Sequence, residues 1–269
     1  MEPSSDSIPG ERILRNLKRV RARMAEAAAG AARPVEAVKL VAVTKSAGLE
    51  EIRRLLELGV RDLGESRVQD AERKIRACAE GDRQPEGDRQ PISKLPEIGV
   101  SPPPEIGASP PPRWHLIGHL QTNKADKAAR LFQAAHAVDS LRVAQALNKE
   151  RLKAALPALP CLLEVNVAGE AQKFGLRAAV SDVGEILKAC AELPGIKLVG
   201  LMCMAPYSEN PEATSRPVFR RLRELLAEAN ATGLYPAPLA ELSMGMTQDY
   251  AIAIEEGATL VRVGTALFE

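Results

Sequence analysis

From Glu11 to about Ala29 apolar residues recur every three or four positions, at Ile13, Leu17, Val20 and Met24, and the spacing predicts an amphipathic helix. Beyond it the period changes. Short apolar, β-branched runs at 38–44, 61–64, 114–117, 135–138, 161–167, 197–203, 239–243 and 259–263 read as strands, with 61–64 and 239–243 the weakest. Helical patterns at 49–58, 67–78, 123–131, 141–155, 178–193, 212–231 and 247–256 separate most of them. Gly59, Gly195, Gly233 and Gly257 fall just past helices, where a left-handed cap is wanted. Eight strands, each followed by a helix except the last, predict an α/β fold: a single (β/α)8 TIM barrel with an extra N-terminal helix. An open doubly wound sheet is the competing arrangement.

One stretch breaks the rhythm. Residues 81–112 hold GDRQPEGDRQP and then PEIGVSPPPEIGASPPP, two tandem near-duplications rich in Pro, Gly and charge. Such a segment cannot bury enough apolar area to offset its ordering entropy, so a disordered surface insertion is expected. Its PPP triplets match the polyproline ligands of SH3-like domains, but a neutral repeat expansion is the simpler reading.

Composition narrows the function classes. The length of 269 residues suits one barrel of roughly 250 residues, and 45% hydrophobic with 26% charged residues excludes a disordered or fibrous chain. Lys and Arg (36) balance Asp and Glu (35), so no nucleic-acid or anionic-membrane partner is expected. The basic face of the first helix (Arg12, Arg15, Lys18, Arg19, Arg21, Arg23) is read as solvated. No apolar run approaches the roughly 18 residues of a membrane helix, and MEPSSDSIPG lacks a secretory layout. Cys78, Cys161, Cys190 and Cys203 lie far apart, so neither a metal site nor a disulfide framework is expected, and the location expected is cytoplasmic.

In a barrel, chemistry collects where strands end. Here those ends are polar: Thr44–Lys45, Gly64–Glu65–Ser66, GHLQTNK (118–124), Asp139–Ser140, Asn166, Met202–Cys203–Met204, Ser243–Met244–Gly245–Met246 and Arg262–Val263–Gly264–Thr265. Lys45 follows the buried run VAV, where partial desolvation would lower its pKa and free the amine for imine chemistry. The alternative is a lysine that snorkels to solvent or pairs with Glu65. SMGMT and RVGTALF set glycines and the Ser243 and Thr265 hydroxyls after strands seven and eight, the usual phosphate position in a barrel. Together they describe a phosphorylated carbonyl compound held at two ends, either a sugar phosphate or pyridoxal 5′-phosphate. Near by, His119 is read as a hydrogen-bonded loop residue, Met202 and Met204 as core fillers and Cys203 as an inert buried thiol.

The stretches AVTK, GESRVQD (64–70), WHLIGHLQTNK (114–124), VDSLRVAQALNK (138–149), LEVNVAGEAQKFGL (163–176), GLMCMAP (200–206) and LSMGMTQDYAIAIEEGATLVRVGTALF (242–268) resemble, in order, the signatures of the pyridoxal phosphate homeostasis protein family. The resemblance runs from about Glu11 to the end, outside the insertion. It implies a barrel like the N-terminal domain of alanine racemase, with pyridoxal phosphate on a Schiff-base lysine at Lys45. It also implies a phosphate against Ser243, Met244, Gly264 and Thr265, and Arg262 near the pyridine nitrogen. Members of the family are regarded as non-catalytic and act in vitamin B6 and amino-acid homeostasis. Two departures stand in GESRVQD: Ser66 where the family usually has Asn, and Asp70 for Glu.

An arginine facing the pyridine nitrogen disfavours its protonation and makes the ring a poorer electron sink. Racemisation would further need a second acid/base on the opposite face, which alanine racemase takes from a second-domain tyrosine. A chain ending just after strand eight is expected to lack it, and Tyr207, Tyr235 and Tyr250 match no such position. The expected function is therefore a carrier or buffer of pyridoxal phosphate. Apo pyridoxal-phosphate enzymes are its candidate recipients, and the chain is expected to be a monomer. A weak racemase-type enzyme and a lysine-dependent aldolase acting on a sugar phosphate are the alternatives.

Overall fold

The computed structural model describes residues 9–81, 110–170, 172 and 174–269. The chain opens with α1 (Pro9–Gly30) and then alternates: β1 (Lys39–Val43), α2 (Leu49–Glu57), β2 (Asp62–Glu65), α3 (Val68–Gly81), β3 (Arg113–Leu116), α4 (Ala125–Leu131), β4 (Ala134–Val138), α5 (Leu141–Lys153) and β5 (Leu159–Asn166). A two-residue strand β6 (Leu176–Arg177) precedes α6 (Val180–Cys190), β7 (Ile196–Met202), α7 (Pro211–Ala231), β8 (Glu241–Ser243), α8 (Tyr250–Glu255), β9 (Leu260–Val263) and α9 (Thr265–Phe268). All eight expected strands form. They pair in parallel, β1 joins both β2 and β9, and β4 joins β5, so the sheet closes into a (β/α)8 barrel and the open doubly wound arrangement is excluded. β6 pairs only with β5, outside the ring.

α1 has a structural role in the ring. After β9 the chain makes only the short α9, which leaves a gap between α8 and α2. α1 packs against α8, α9 and α2 and fills it. Ile13, Leu17, Val20 and Met24 are the large apolar residues it buries, each worth about 2 kcal/mol, and Asn16 donates to the Leu267 carbonyl. Of its basic face, Arg15, Lys18, Arg19, Arg21 and Arg23 are exposed, while Arg12 pairs with Glu51.

Four details differ from the sequence reading. Gly59, Gly233 and Gly257 do adopt positive φ past helices, but Gly195 does not. A Cβ at Gly195 would lie 2.6 Å from the Asn148 carbonyl, so close approach is what excludes a side chain there. α8 starts at Tyr250 rather than Thr247, because Gly245 turns the chain at φ +90° and Asp249 closes the turn by accepting from Met246 N–H at 2.7 Å. Neither α9 nor β6 was expected, both being too short for a periodicity to register. The expected disordered insertion at 81–112 lies outside the described residues except at its ends, where Gly81 closes α3 and residues 110–112 lead into β3. Among the described residues, no helix is long and apolar enough to cross a membrane.

Strand alternation divides the apolar groups. On β9, Val261 and Val263 face the helices within the main core, whereas Leu260 joins Val41, Ala137, Leu162 and Met202 in a small interior cluster. Polar groups share that interior: His115, His136, Glu164, Ser243 and Arg262 are all buried.

Candidate functional site

β1 stops at Val43, Thr44 is buried, and a turn at Lys45–Ser46 carries the lysine out to the barrel mouth. Lys45 is exposed, so the desolvation expected of it from the run VAV is not found. The Glu65 partnership is also absent. Glu65 is fully buried, and its Oε1 accepts from Thr44 Oγ1 at 2.7 Å and from Lys74 Nζ of α3 at 2.7 Å. Its other oxygen, Oε2, is buried without a hydrogen-bond partner.

β9 delivers the opposite wall. Arg262 is 3% exposed, and its guanidinium donates to Ser243 Oγ and, at 2.9 Å, to the Cys203 carbonyl. Burial lowers its pKa, while Cys203, Glu164 and Asp249 act to raise it. Arginine's ordinary value lies so far above neutrality that it stays a cation. Next along the chain, Gly264 caps α9, and a Cβ there would sit 3.3 Å from Val43 Cβ. The glycine therefore lets the Gly264–Thr265 backbone lie against β1, beside Lys45.

Lys45, Arg262, Gly264 and Thr265 line one cavity of about 430 Å³, together with Val43, Ser46, Tyr207, Met246, Thr247 and Gln248. Ser243 and Met244 are not part of that lining. Both are fully buried: Met244 packs in the core, and the Ser243 hydroxyl is taken up by Arg262 and by His136 Nδ1 at 2.8 Å. The aliphatic hydroxyls on the wall are those of Ser46, Thr247 and Thr265, and Thr247 Oγ1 also accepts from Ala266 N–H at 3.4 Å. Grooves of about 500 and 680 Å³ run beside α1 with no strand-end group on their walls, and another of about 460 Å³ lies at the ends of β3 and β4, lined by His119, Thr122, Asp139 and Ser140 but by neither Lys45 nor Arg262. Ser66 is half-buried and outside the cavity lining; its carbonyl would lie 2.6 Å from a Cβ on Gly118.

Sequence reasoning missed Tyr207 as a wall residue. It lies in the loop after β7 and is 86% exposed, so no apolar periodicity marks it. The other mouth residues match their reading. His119 Nδ1 is 2.6 Å from Asp139 Oδ2 and its ring stacks on Phe174 at 3.9 Å, while Met202 and Cys203 are fully buried. Met204 is the exception, at 37% exposed.

Glu164 was not singled out. Burial, with the Asp139 carboxylate beside it, pushes its carboxyl up to about 7 against the pull of Arg262 and His119. The folded value lies above the ordinary 4.5, so the stability this group contributes is full below about pH 4.5 and is lost as pH rises through about 7. Glu164→Gln mimics the protonated form and should gain about 2 kcal/mol on the wild type between about pH 5 and about pH 8. Urea denaturation at the two pH values measures this, and a constant difference would contradict it.

The sequence profile of the alanine racemase N-terminal domain family matches residues 11–269. The chain is 38% identical over 256 residues to the pyridoxal phosphate homeostasis protein of Pseudomonas aeruginosa, covering 95% of this chain and 94% of that protein. It is 35% identical to the protein of the same name from Aquifex aeolicus, over 94% of this chain and 95% of that one. Among solved structures it superposes on PipY of Synechococcus elongatus with PLP bound, at a TM-score of 0.70 and 29% identity, over 91% of this chain and 100% of that one. With the barrel closed and the match running from α1 to α9, the chain belongs to the alanine racemase N-terminal domain family and, within it, to the pyridoxal phosphate homeostasis proteins.

Proposed function

We propose that this chain binds pyridoxal 5′-phosphate in the cavity at the barrel mouth and serves as a non-catalytic carrier or buffer in vitamin B6 and amino-acid homeostasis. The observation that carries the reading is the convergence of an amine, a guanidinium and a glycine–hydroxyl turn on one cavity of about 430 Å³. Each matches one functional group of that cofactor: Lys45 the aldehyde, Arg262 the pyridine nitrogen, and Gly264, Thr265 and Thr247 the phosphate. The volume suits a small cofactor. When bound, the cofactor supplies an electrophilic aldehyde that condenses reversibly with a primary amine.

The protein's own groups favour holding over catalysis. Lys45 is exposed, so its amine meets the aldehyde directly from solvent and can return it there. Arg262 is a cation fixed by two hydrogen bonds, and a cation facing the pyridine nitrogen disfavours its protonation and weakens the ring as an electron sink. Ser243 and Met244 support the wall from behind. The barrel acts in this reading as one unit, a monomer in the cytoplasm that passes its cofactor to apo-enzymes.

One observation favours a second reading. Tyr207 lines the cavity and could serve as the second acid/base of a weak racemase. Incubation of the cofactor-loaded protein with each amino acid in D2O separates the two. The carrier reading expects no α-deuterium and a measurable rate of reactivation of an apo-enzyme. Exchange that disappears in Tyr207→Phe would establish the racemase instead. Failure of the purified protein to take up added pyridoxal phosphate would overturn both and leave the aldolase to be tested with sugar phosphates.

A further inference from the structure

Five buried or rim side chains from five strands form a single hydrogen-bonded line across the barrel interior. Asp62 Oδ1 (β2) lies 2.8 Å from His115 Nε2 (β3), His115 Nδ1 lies 2.9 Å from His136 Nε2 (β4), and His136 Nδ1 lies 2.8 Å from Ser243 Oγ (β8), which accepts from Arg262 (β9). The two imidazoles meet edge to face, their centroids 5.0 Å apart. His115 and His136 also line a cavity of about 210 Å³ that Lys39, Arg113 and Glu241, from the starts of their strands, place at the N-terminal end of the barrel. Arg262, at the other end of the line, borders the mouth cavity. The line thus joins the two ends of the barrel.

Elementary donor accounting gives it one direction. Arginine has no acceptor, so Ser243 Oγ must accept from Arg262. Among the described residues the only other partner of that oxygen is His136, and a fully buried hydroxyl proton left without an acceptor is costly, so that proton goes to His136 Nδ1. His136 then donates from Nε2 to His115 Nδ1, and His115 donates from Nε2 to Asp62. At the far end, Arg113 donates twice to the same Asp62 oxygen, at 2.9 and 2.6 Å, and favours the ionised acceptor the line requires. Every donor points from the cation toward the carboxylate, with both imidazoles neutral. The electrostatics of His136 agree: burial, with the Arg262 charge beside it, holds the ring well below its ordinary value. At Asp62, burial acts to raise the pKa, but the hydrogen bond from His115 and the Arg113 guanidinium outweigh it and hold the carboxyl below its usual range.

We propose that Asp62, His115 and His136 are positioning residues that lock the Ser243 hydroxyl as an acceptor for Arg262 and so fix the guanidinium that faces the cofactor's pyridine nitrogen. The proposal rests on the pyridoxal phosphate reading for what Arg262 faces, but not for the direction of the line. Through it, a carboxylate at the N-terminal rim governs the environment of a ring held at the opposite face.

The direction can be tested on cofactor-free protein by long-range 15N–1H correlation of 15N-labelled histidine. His115 and His136 should both be neutral with the proton on Nε2; a proton on Nδ1 of either ring at neutral pH would overturn the lock. Its consequence is tested on full-length protein loaded with pyridoxal phosphate. Asp62→Leu removes the terminal acceptor and should weaken binding about fivefold and shift the visible band of the bound cofactor. Asp62→Asn keeps an acceptor oxygen and should stay within about twofold of wild type with an unshifted band. A folded Asp62→Leu protein whose spectrum and affinity equal those of wild type would sink the proposal. If wild type itself binds no cofactor, the functional reading fails, and the tautomer measurement still judges the line.

Discussion

Lys45→Ala is expected to abolish borohydride-dependent fixation of pyridoxal phosphate to the protein, with a change in folding stability within about 0.5 kcal/mol. The stability half follows from position. Lys45 is exposed on a turn, Glu65 is served by Lys74 and Thr44, and among the described residues Lys45 forms no ion pair or hydrogen bond. Nothing buried loses a partner when the side chain goes. The chemical half follows from the cavity, where Lys45 is the one primary amine on the wall. Arg262 and the Gly264–Thr265 turn remain, so the mutant should still hold the cofactor weakly and without a covalent link. Intact mass after borohydride treatment reads the first half, and urea denaturation reads the second. An adduct persisting on the mutant, mapped to another lysine, would move the site away from this mouth.

How much of this was legible in the sequence depends on the kind of information each residue carries. Most of the strands were readable as short, largely apolar and β-branched runs set between helical patterns, and the glycine–hydroxyl turn because Gly264 and Thr265 follow such a run directly. Lys45 was placed correctly at a strand end, but its exposure depends on where the turn begins, and the run VAV does not encode that. Ser243 shows the limit more sharply. A hydroxyl at the end of strand eight looks the same whether it turns toward a ligand or into the barrel. Its commitment to Arg262 and His136 depends on partners 19 and 107 residues away in the chain. The histidine pair was invisible for the same reason: His115 and His136 sit in different strands and become neighbours only when β3 and β4 pair. Glu164 could have been suspected, since a carboxylate inside the apolar run 161–167 needs an explanation.

Arg262→Leu should be the most damaging single change at the site, lowering folding stability by about 3 kcal/mol and pyridoxal phosphate affinity at least about tenfold. Two effects oppose each other. Leucine relieves the protein of a buried cation, a gain in a region already lined by Leu260, Leu162 and Met202. Against it, the Cys203 carbonyl and the Ser243 hydroxyl lose their donor in a place water does not reach, at about 1–3 kcal/mol each. Glu164 loses the charge that holds its carboxyl down, so the variant's stability should fall more steeply with rising pH than that of wild type. The second pair of losses outweighs the first gain because the leucine is shorter than arginine and leaves space where the guanidinium lay. Arg262→Lys separates charge from geometry. An ammonium keeps the cation but cannot reproduce the planar fork that reaches Ser243 and Cys203 together, so it should recover part of the stability and little of the affinity. Urea denaturation and cofactor titration of the two variants decide the matter. Equal affinity in Arg262→Lys and wild type would show that charge alone is needed, and the orientation held by Ser243 would then have no role in binding.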